Sequence, residues 1–380
     1  MVPSIRLDRH ELAGAVADVG VLVPIAAALI VSNGLSATAV LLPAALLYIA
    51  AGLIYRLPVP VQPLKAFGAI AIAQGLGADE IAAGALLMGV IFLGLGATGL
   101  IDLAARVFPR ALIRGVQLSV GLLFLKIAWG LVEDPPKSFT AHALDPTIAI
   151  PLGLAFLFVA LVFRRYLIAL VLVATGLVIA ITDSAGGLSF GPSALDLPAF
   201  SWATFGTALT VLVLPQLPLS FANSCVATAD AARTYFGEAA SRVRAGRLAT
   251  TLGAANVLSG VISGMPVCHG AGGLTAHRSF GARTGGAPLF LGVVLLALAL
   301  GLGAGLATLL AAFPLTILAA LLAAAGVMHL GLLRDLRGAR EWGIALIVGV
   351  LGLLTNLAIG LAAGLLLWWA STLLRRPQPA

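Results

Sequence analysis

Charge is what this sequence has least of. Only 10% of its 380 residues are Asp, Glu, Lys or Arg while 61% are hydrophobic, and the mean hydropathy is +1.10. So few polar side chains do not cover the surface of a soluble globule, which leaves a polytopic membrane protein. Cysteine is nearly absent: Cys225 and Cys268 both sit in apolar stretches, without a Cys-x-x-Cys pair, so neither a disulfide framework nor a redox motif is indicated. No GxxxxGK[ST] run is present, which leaves ATP-driven pumping unsupported. Nothing resembles a selectivity filter or a ring of like charges, which argues against a channel. Arg6 and Arg9 precede an apolar run as in a signal peptide, but Glu11 and Asp18 interrupt it and no Ala-x-Ala site ends it. The run is read as an uncleaved first span. No cofactor or metal is expected.

What is there in abundance is apolar helix. About 20 apolar residues cross a bilayer, and hydropathy marks spans near 12–32, 38–55, 58–76, 80–101, 111–131, 147–163 and 167–183. A second set follows near 202–229, 246–263, 265–279, 286–305, 307–328, 341–355 and 358–374. The fold class expected is therefore an all-α polytopic membrane protein of about 14 spans, one transporter domain over 1–380 with no large soluble part.

A net charge of +7 and a pI near 10.1 raise the question of nucleic acid, and the placement of the basic residues answers it. With a cytoplasmic N-terminus, 19 of the 22 basic residues fall in inner loops, among them Arg56, Arg106, Arg110, Arg114, Arg164, Arg165, Arg242, Arg244, Arg247, Arg283, Arg334, Arg337, Arg375 and Arg376. Lys65 and Lys126 lie within spans and Lys137 in an outer loop. This satisfies the positive-inside rule and puts both termini in the cytoplasm, with no nucleic-acid partner. Seven spans per half force the halves into opposite orientations, the inverted repeat of many secondary transporters, here 1–184 and 200–376. VLVP at 21–24 is echoed by VLVLP at 211–215, and Pro60-Val61-Gln62 by Pro266-Val267-Cys268.

Two spans are broken. In LPVPVQPLKAFGAIAIAQGL at 57–76, Pro58, Pro60 and Pro63 each remove a backbone donor and push the preceding residue towards extended geometry. The segment should run extended to about Gln62 and then turn into a half-helix with Lys65 in its first turn. Free N–H groups at membrane depth are tolerated only where they line a cavity or are buried in protein, and a positive side chain at a positive helix end invites an anion. The second broken span, GMPVCHGAGGLTAHRSFGAR at 264–283, repeats the design. Cys268, His269, Gly270, Ala271 and Gly272 place little but backbone at its helix start, so an oxyanion can approach the N–H groups; close helix packing is the other reading of the glycines.

Further polar groups come from the first and eighth spans. Gln62 and Lys65 are three apart and face one cavity; Gln216, Ser220 and Asn223 form one helical face, with Ser224 beside them. Asp18, about a third of the way into a span, costs roughly 2.5–3.5 kcal/mol to insert. It is expected to pair with Lys65 or to take up a coupling proton, with His269 as the second carrier. Lys126, near the outer end of its span, is read as snorkelling.

ELAGAVADVGVLVPI at 11–25, PVPVQPLKAFGAIAIAQGL at 58–76, LPQLPLSFANSCVA at 214–227 and GMPVCHGAGGLTAHRSFGAR at 264–283 resemble the molybdate transporter family, a branch of the sulfate permease (SulP) superfamily. The likeness runs over essentially the whole chain, and PVPVQPLK and PVCHGAGG are its specific parts. It implies a core of spans 1–4 and 8–11, a gate of spans 5–7 and 12–14, and an oxyanion site between the third and tenth spans flanked by the first and eighth. The function it implies is import of molybdate by alternating access, coupled to protons. Val21 departs from the family where a small polar residue is expected, and with four residues after Arg376 no STAS domain like that of sulfate permeases is expected. Tungstate or sulfate as competing substrates, bicarbonate or nucleobase carriage on the same fold, and a homodimer stay open. An intramembrane enzyme using Cys268 and His269 is disfavoured, since neighbours at a helix start point apart and no third group orients them. The expected setting is a bacterial inner membrane, with lipids as the surrounding partners.

Overall fold

The computed structural model describes residues 4–15, 18–101, 109–135, 143–162, 166–184, 188–355 and 357–373. The basic residues Arg106, Lys137, Arg164, Arg165, Arg375 and Arg376 lie outside them. In chain order the helices are α1 (Arg9–Ala15), α2 (Val19–Val31), α3 (Ala37–Tyr55), α4 (Lys65–Ala73), α5 (Ala78–Thr98), α6 (Arg110–Glu133), α7 (Pro146–Val162) and α8 (Tyr166–Asp183). There follow α9 (Trp202–Arg242), α10 (Ala245–Val261), α11 (Ala271–Ser279), α12 (Gly286–Gly301), α13 (Gly303–Ala311), α14 (Leu315–Gly331), α15 (Gly338–Leu354) and α16 (Leu357–Leu373). The described residues are thus mostly helical, and Leu154, Phe158, Val178 and Leu366 point outward, as side chains facing lipid do. By length and composition five helices among the described residues are able to cross a membrane singly, or seven when two bent pairs each count as one.

Both proline-bearing segments are extended as their sequences predict. Gln62–Pro63 (β1) and Val267–Cys268 (β2) pair antiparallel, Gln62 opposite Cys268 and Pro63 opposite Val267. Asn256 holds β2 by accepting from the Val267 N–H at 2.8 Å and donating to its carbonyl at 2.9 Å. This supplies partners that a helix would otherwise provide. From the two strands α4 and α11 depart, so their N-termini lie together inside the protein.

The elements around this crossing are locked by glycine. α5 packs on α10 and α3 on α12. A Cβ at Gly89 would stand 2.6 Å from the Val257 nitrogen and one at Gly253 2.6 Å from the Leu93 nitrogen, so the backbones approach as closely as small residues allow. A second group, α6, α7, α14 and α15, packs mainly on itself, with Gly121 and Gly326 face to face.

Two segments depart from their hydropathy boundaries. The span expected at 307–328 begins at Leu315 instead, because α12 stops at Gly301, α13 turns through 94° and Pro314 opens α14. The cause is a tertiary contact: Gly191 donates to the Gly301 carbonyl at 2.9 Å and accepts from Ala304 at 2.9 Å. An average over apolar residues does not register a loop docking there. The span expected at 202–229 is longer, and it widens to π-helix at Ala208–Val213 and Ser220–Ala227. Pro215 and Pro218 lack the N–H groups that the α ladder requires next to these stretches.

Candidate functional site

A cavity of about 740 Å³ opens between the two half-helices and α6 and α14. Its walls run from Gln62 and Cys268, which are buried, past Lys65 and Gly272 to Arg110 and Leu332, which are exposed. Its mouth therefore lies at the end where basic side chains gather: Arg110 meets Glu341 at 3.0 Å, Arg114 binds Asp335 and Gln117.

At the deep end the donors converge. Lys65 is the first residue of α4, and its Nζ donates to Gln62 Oε1 at 2.6 Å. A Cβ built on Gly270 would lie 3.5 Å from Asn223 Nδ2 and 3.9 Å from Lys65 Nζ, so both nitrogens crowd the start of α11. The first N–H groups of a helix have no intrahelical acceptor, and α11 begins here, at Ala271. Gly272 faces the cavity with nothing within 4 Å of where its Cβ would be. Packing therefore does not require glycine here, whereas at Gly273 a Cβ would meet Pro60 and Gln62 at 2.7 Å. The start of α4 is less available, because Gln216 Oε1 accepts from the Phe67 N–H at 3.1 Å.

The expected site residues separate into two shells of contact. Gln62, Lys65, Gln216, Asn223, Ser224, Cys268, Ala271 and Gly272 all line the cavity, as does Val21. Ser220 lies behind and accepts from Gln216 Nε2 at 3.0 Å. His269 turns away, its Nδ1 2.9 Å from the Pro60 carbonyl and its Nε2 3.0 Å from Thr251. Both ring nitrogens are thus engaged outside the cavity. Cys268 and Cys225 are free thiols, and Cys268 Sγ points at the Pro63 carbonyl at 3.6 Å rather than at His269.

Asp18 does not meet Lys65, contrary to the pairing expected, because Gln62 stands between them. The fully buried carboxylate accepts from Tyr48 Oη at 2.6 Å, pairs with His277 Nε2 at 2.8 Å and accepts from Gln62 Nε2. Tyr48 and His277 were missed from sequence. His277 lies 259 residues from Asp18, and only the folding of α11 against the first span brings them together. Glu11, also buried, plays a structural part by accepting from the N–H groups of Arg283, Thr284 and Ala287, which caps α12. His329, on α14, lines the opposite wall. Lys126 is exposed.

Comparison with known proteins decides the family. The model described as "Molybdate transporter of MFS superfamily" matches residues 10–124 and 208–328, which include both half-helices. The chain belongs to the molybdate transporter family. Molybdate transporter 1 of Arabidopsis thaliana is 30% identical over 404 aligned positions, covering 96% of this chain and 88% of the relative. Molybdate transporter 1 of Chlamydomonas reinhardtii is 28% identical, with 95% and 91% covered. Among solved structures, the transmembrane domain of the cyanobacterial bicarbonate transporter BicA superposes with a TM-score of 0.67 at 20% identity, covering 95% of this chain and 98% of that one. Murine Slc26a9, an anion transporter in its inward-facing state, gives 0.67 at 16% identity, with 96% and 68% covered. At such identities the likeness is one of fold, and this molybdate transporter family member shares the fold of those two transporters.

Proposed function

We propose that this protein imports molybdate by alternating access, holding the oxyanion where Lys65 Nζ, Asn223 Nδ2 and the first N–H groups of α11 converge. The observation that carries the reading is the open backbone at Gly272, which faces the cavity with no packing neighbour. A tetrahedral dianion suits that place, since a positive side chain, a positive helix end and free backbone donors surround it. A neutral nucleobase would leave the charge of Lys65 unanswered. Molybdate is favoured over sulfate by the names of the relatives.

The domain organisation belongs to the same proposal. The Pro60-Val61-Gln62 and Pro266-Val267-Cys268 stretches form β1 and β2, and Gln62 lies opposite Cys268. A two-fold axis passing through the Gln62–Cys268 pair sets these two equivalent residues opposite each other and Pro63 opposite Val267, the equivalent of Val61, which supports inverted repeats over 1–184 and 200–376. The pairings α5 with α10 and α3 with α12 exchange under the same operation. In this reading the glycine-locked helices form the core and α6, α7, α14 and α15 belong to the gate. With the basic loops cytoplasmic, the cavity opens inward and both termini are inside. The bacterial inner membrane remains an expectation of the sequence. Proton coupling through Asp18 is the drive proposed for uptake.

A thermal-shift titration of the purified protein with molybdate, tungstate, sulfate, bicarbonate and uracil tests the substrate. Stabilisation by molybdate and tungstate with none by uracil is expected. Stabilisation by uracil alone would move the protein to the nucleobase carriers.

A further inference from the structure

We infer that the Gln62 side-chain amide is the switch that couples a proton on Asp18 to an oxyanion at Lys65, an inference that rests on the site proposed above. Among the described residues, Gln62 alone hydrogen-bonds both groups. Its Nε2 donates to Asp18 Oδ1 and its Oε1 accepts from Lys65 Nζ at 2.6 Å.

An ionised Asp18 fixes the direction of that amide. The carboxylate accepts only, so Nε2 must face it and Oε1 must face Lys65. In this state the amide presents an acceptor towards the cavity and occupies the lysine, which disfavours an oxyanion. A proton added to Asp18 Oδ1 reverses the local requirement, because the carboxylic O–H now donates. The amide turns by 180°, a change that keeps its shape, and Oε1 accepts from Asp18 while Nε2 faces the cavity. Lys65 Nζ loses its acceptor and is freed for the anion. One proton bound at Asp18 thereby sets two donors on the oxyanion, and by linkage the anion favours the proton equally.

The surroundings of Asp18 leave this route open. Facing it are Tyr48 from α3, Gln62 from β1 and His277 from α11. Lys65 is one side chain further, and Cys268 stands opposite Gln62 on β2. Glu11 is held by the N–H groups of Arg283, Thr284 and Ala287, and His269 by Pro60 and Thr251. His277 is fully buried and its Nδ1 has no hydrogen-bond partner among the described residues. One nitrogen of that ring is thus on Asp18, and the other points away from Gln62's contact with the carboxylate without a partner of its own among the described residues.

The test is calorimetric titration of the purified full chain with sodium molybdate between about pH 6 and about pH 8, in buffers of different ionisation enthalpy. The wild type should take up close to one proton per molybdate bound, so its affinity should rise up to about tenfold per unit fall in pH. Gln62→Leu should bind more weakly at every pH and take up no proton, whereas a merely structural role would lower affinity while leaving the uptake intact. If that variant does not fold, Asp18→Asn carries the test, since it keeps the shape and should bind with no proton uptake. Molybdate binding by the wild type without proton uptake, or uptake retained in either variant, overturns the switch and leaves the site standing. Absence of molybdate binding in the folded wild type is a different result, which removes the proposed function and the switch with it.

Discussion

In the proposed site Lys65 and Gly272 have different parts, and each part has its own measurable consequence. Lys65 supplies charge at the head of α4. Its replacement by alanine should weaken molybdate binding by roughly 1.5–3 kcal/mol, the range for a hydrogen bond to a charged group, with folding retained. Unchanged affinity in a calorimetric titration would take Lys65 out of the site. Gly272 supplies access: a valine there would meet no neighbour and would fill the space above the N–H groups. Gly272→Val should therefore abolish binding while leaving the thermal unfolding temperature close to that of wild type. Of the residues involved, Lys65, Gln62 and the CHGAGG run were legible because proline and glycine at membrane depth are costly unless backbone is to be exposed there. Tyr48 and His277 were not legible, since each becomes a partner of Asp18 only across the fold. Nor was the outward turn of His269, which depends on the carbonyl of Pro60.

At the scale of elements, the half-helices were readable and the interruptions elsewhere were not. Prolines 58, 60 and 63 announce a break in their own span, whereas the break at Leu302 is made by a distant loop through Gly191. The π-helical stretches of α9 lie between these cases, since Pro215 and Pro218 signal disturbance without saying which geometry relieves it. The close contact of α5 with α10 makes a prediction opposite to that for Gly272. A Cβ at Gly253 would lie 2.6 Å from the Leu93 backbone nitrogen, and backbone does not yield as a side-chain tip does. Gly253→Leu should lower stability by about 1–3 kcal/mol or more through overpacking, seen as a drop in unfolding temperature. Its folded fraction should bind molybdate with near wild-type affinity. A variant as stable as wild type would show that the two helices are not locked at this point.

For the whole molecule the governing quantity is the membrane potential. A dianion moving inward against an inside-negative potential works against about 2.3 kcal/mol per charge per 100 mV, so cancelling that term takes two cotransported positive charges, of which the proton on Asp18 supplies one. Asp18 with His277 is the buried ionisable pair bordering the site. Uptake into proteoliposomes should accordingly respond to an imposed inward proton gradient, and Asp18→Asn should lose that response; a wild type indifferent to the gradient would remove proton coupling. The mostly helical membrane architecture was legible from hydropathy, and loops far apart in sequence meet in space, as Arg110 meets Glu341 and Arg242 meets the carbonyl of Ile54. The measurement that bears most directly on the central claim is the initial rate of labelled molybdate uptake into proteoliposomes containing wild type or Gly272→Val, with folding of both verified by thermal unfolding. Rapid filling by the wild type and none by the folded variant is predicted; equal uptake by both, or none by the wild type, would contradict the claim that molybdate is carried at the head of α11.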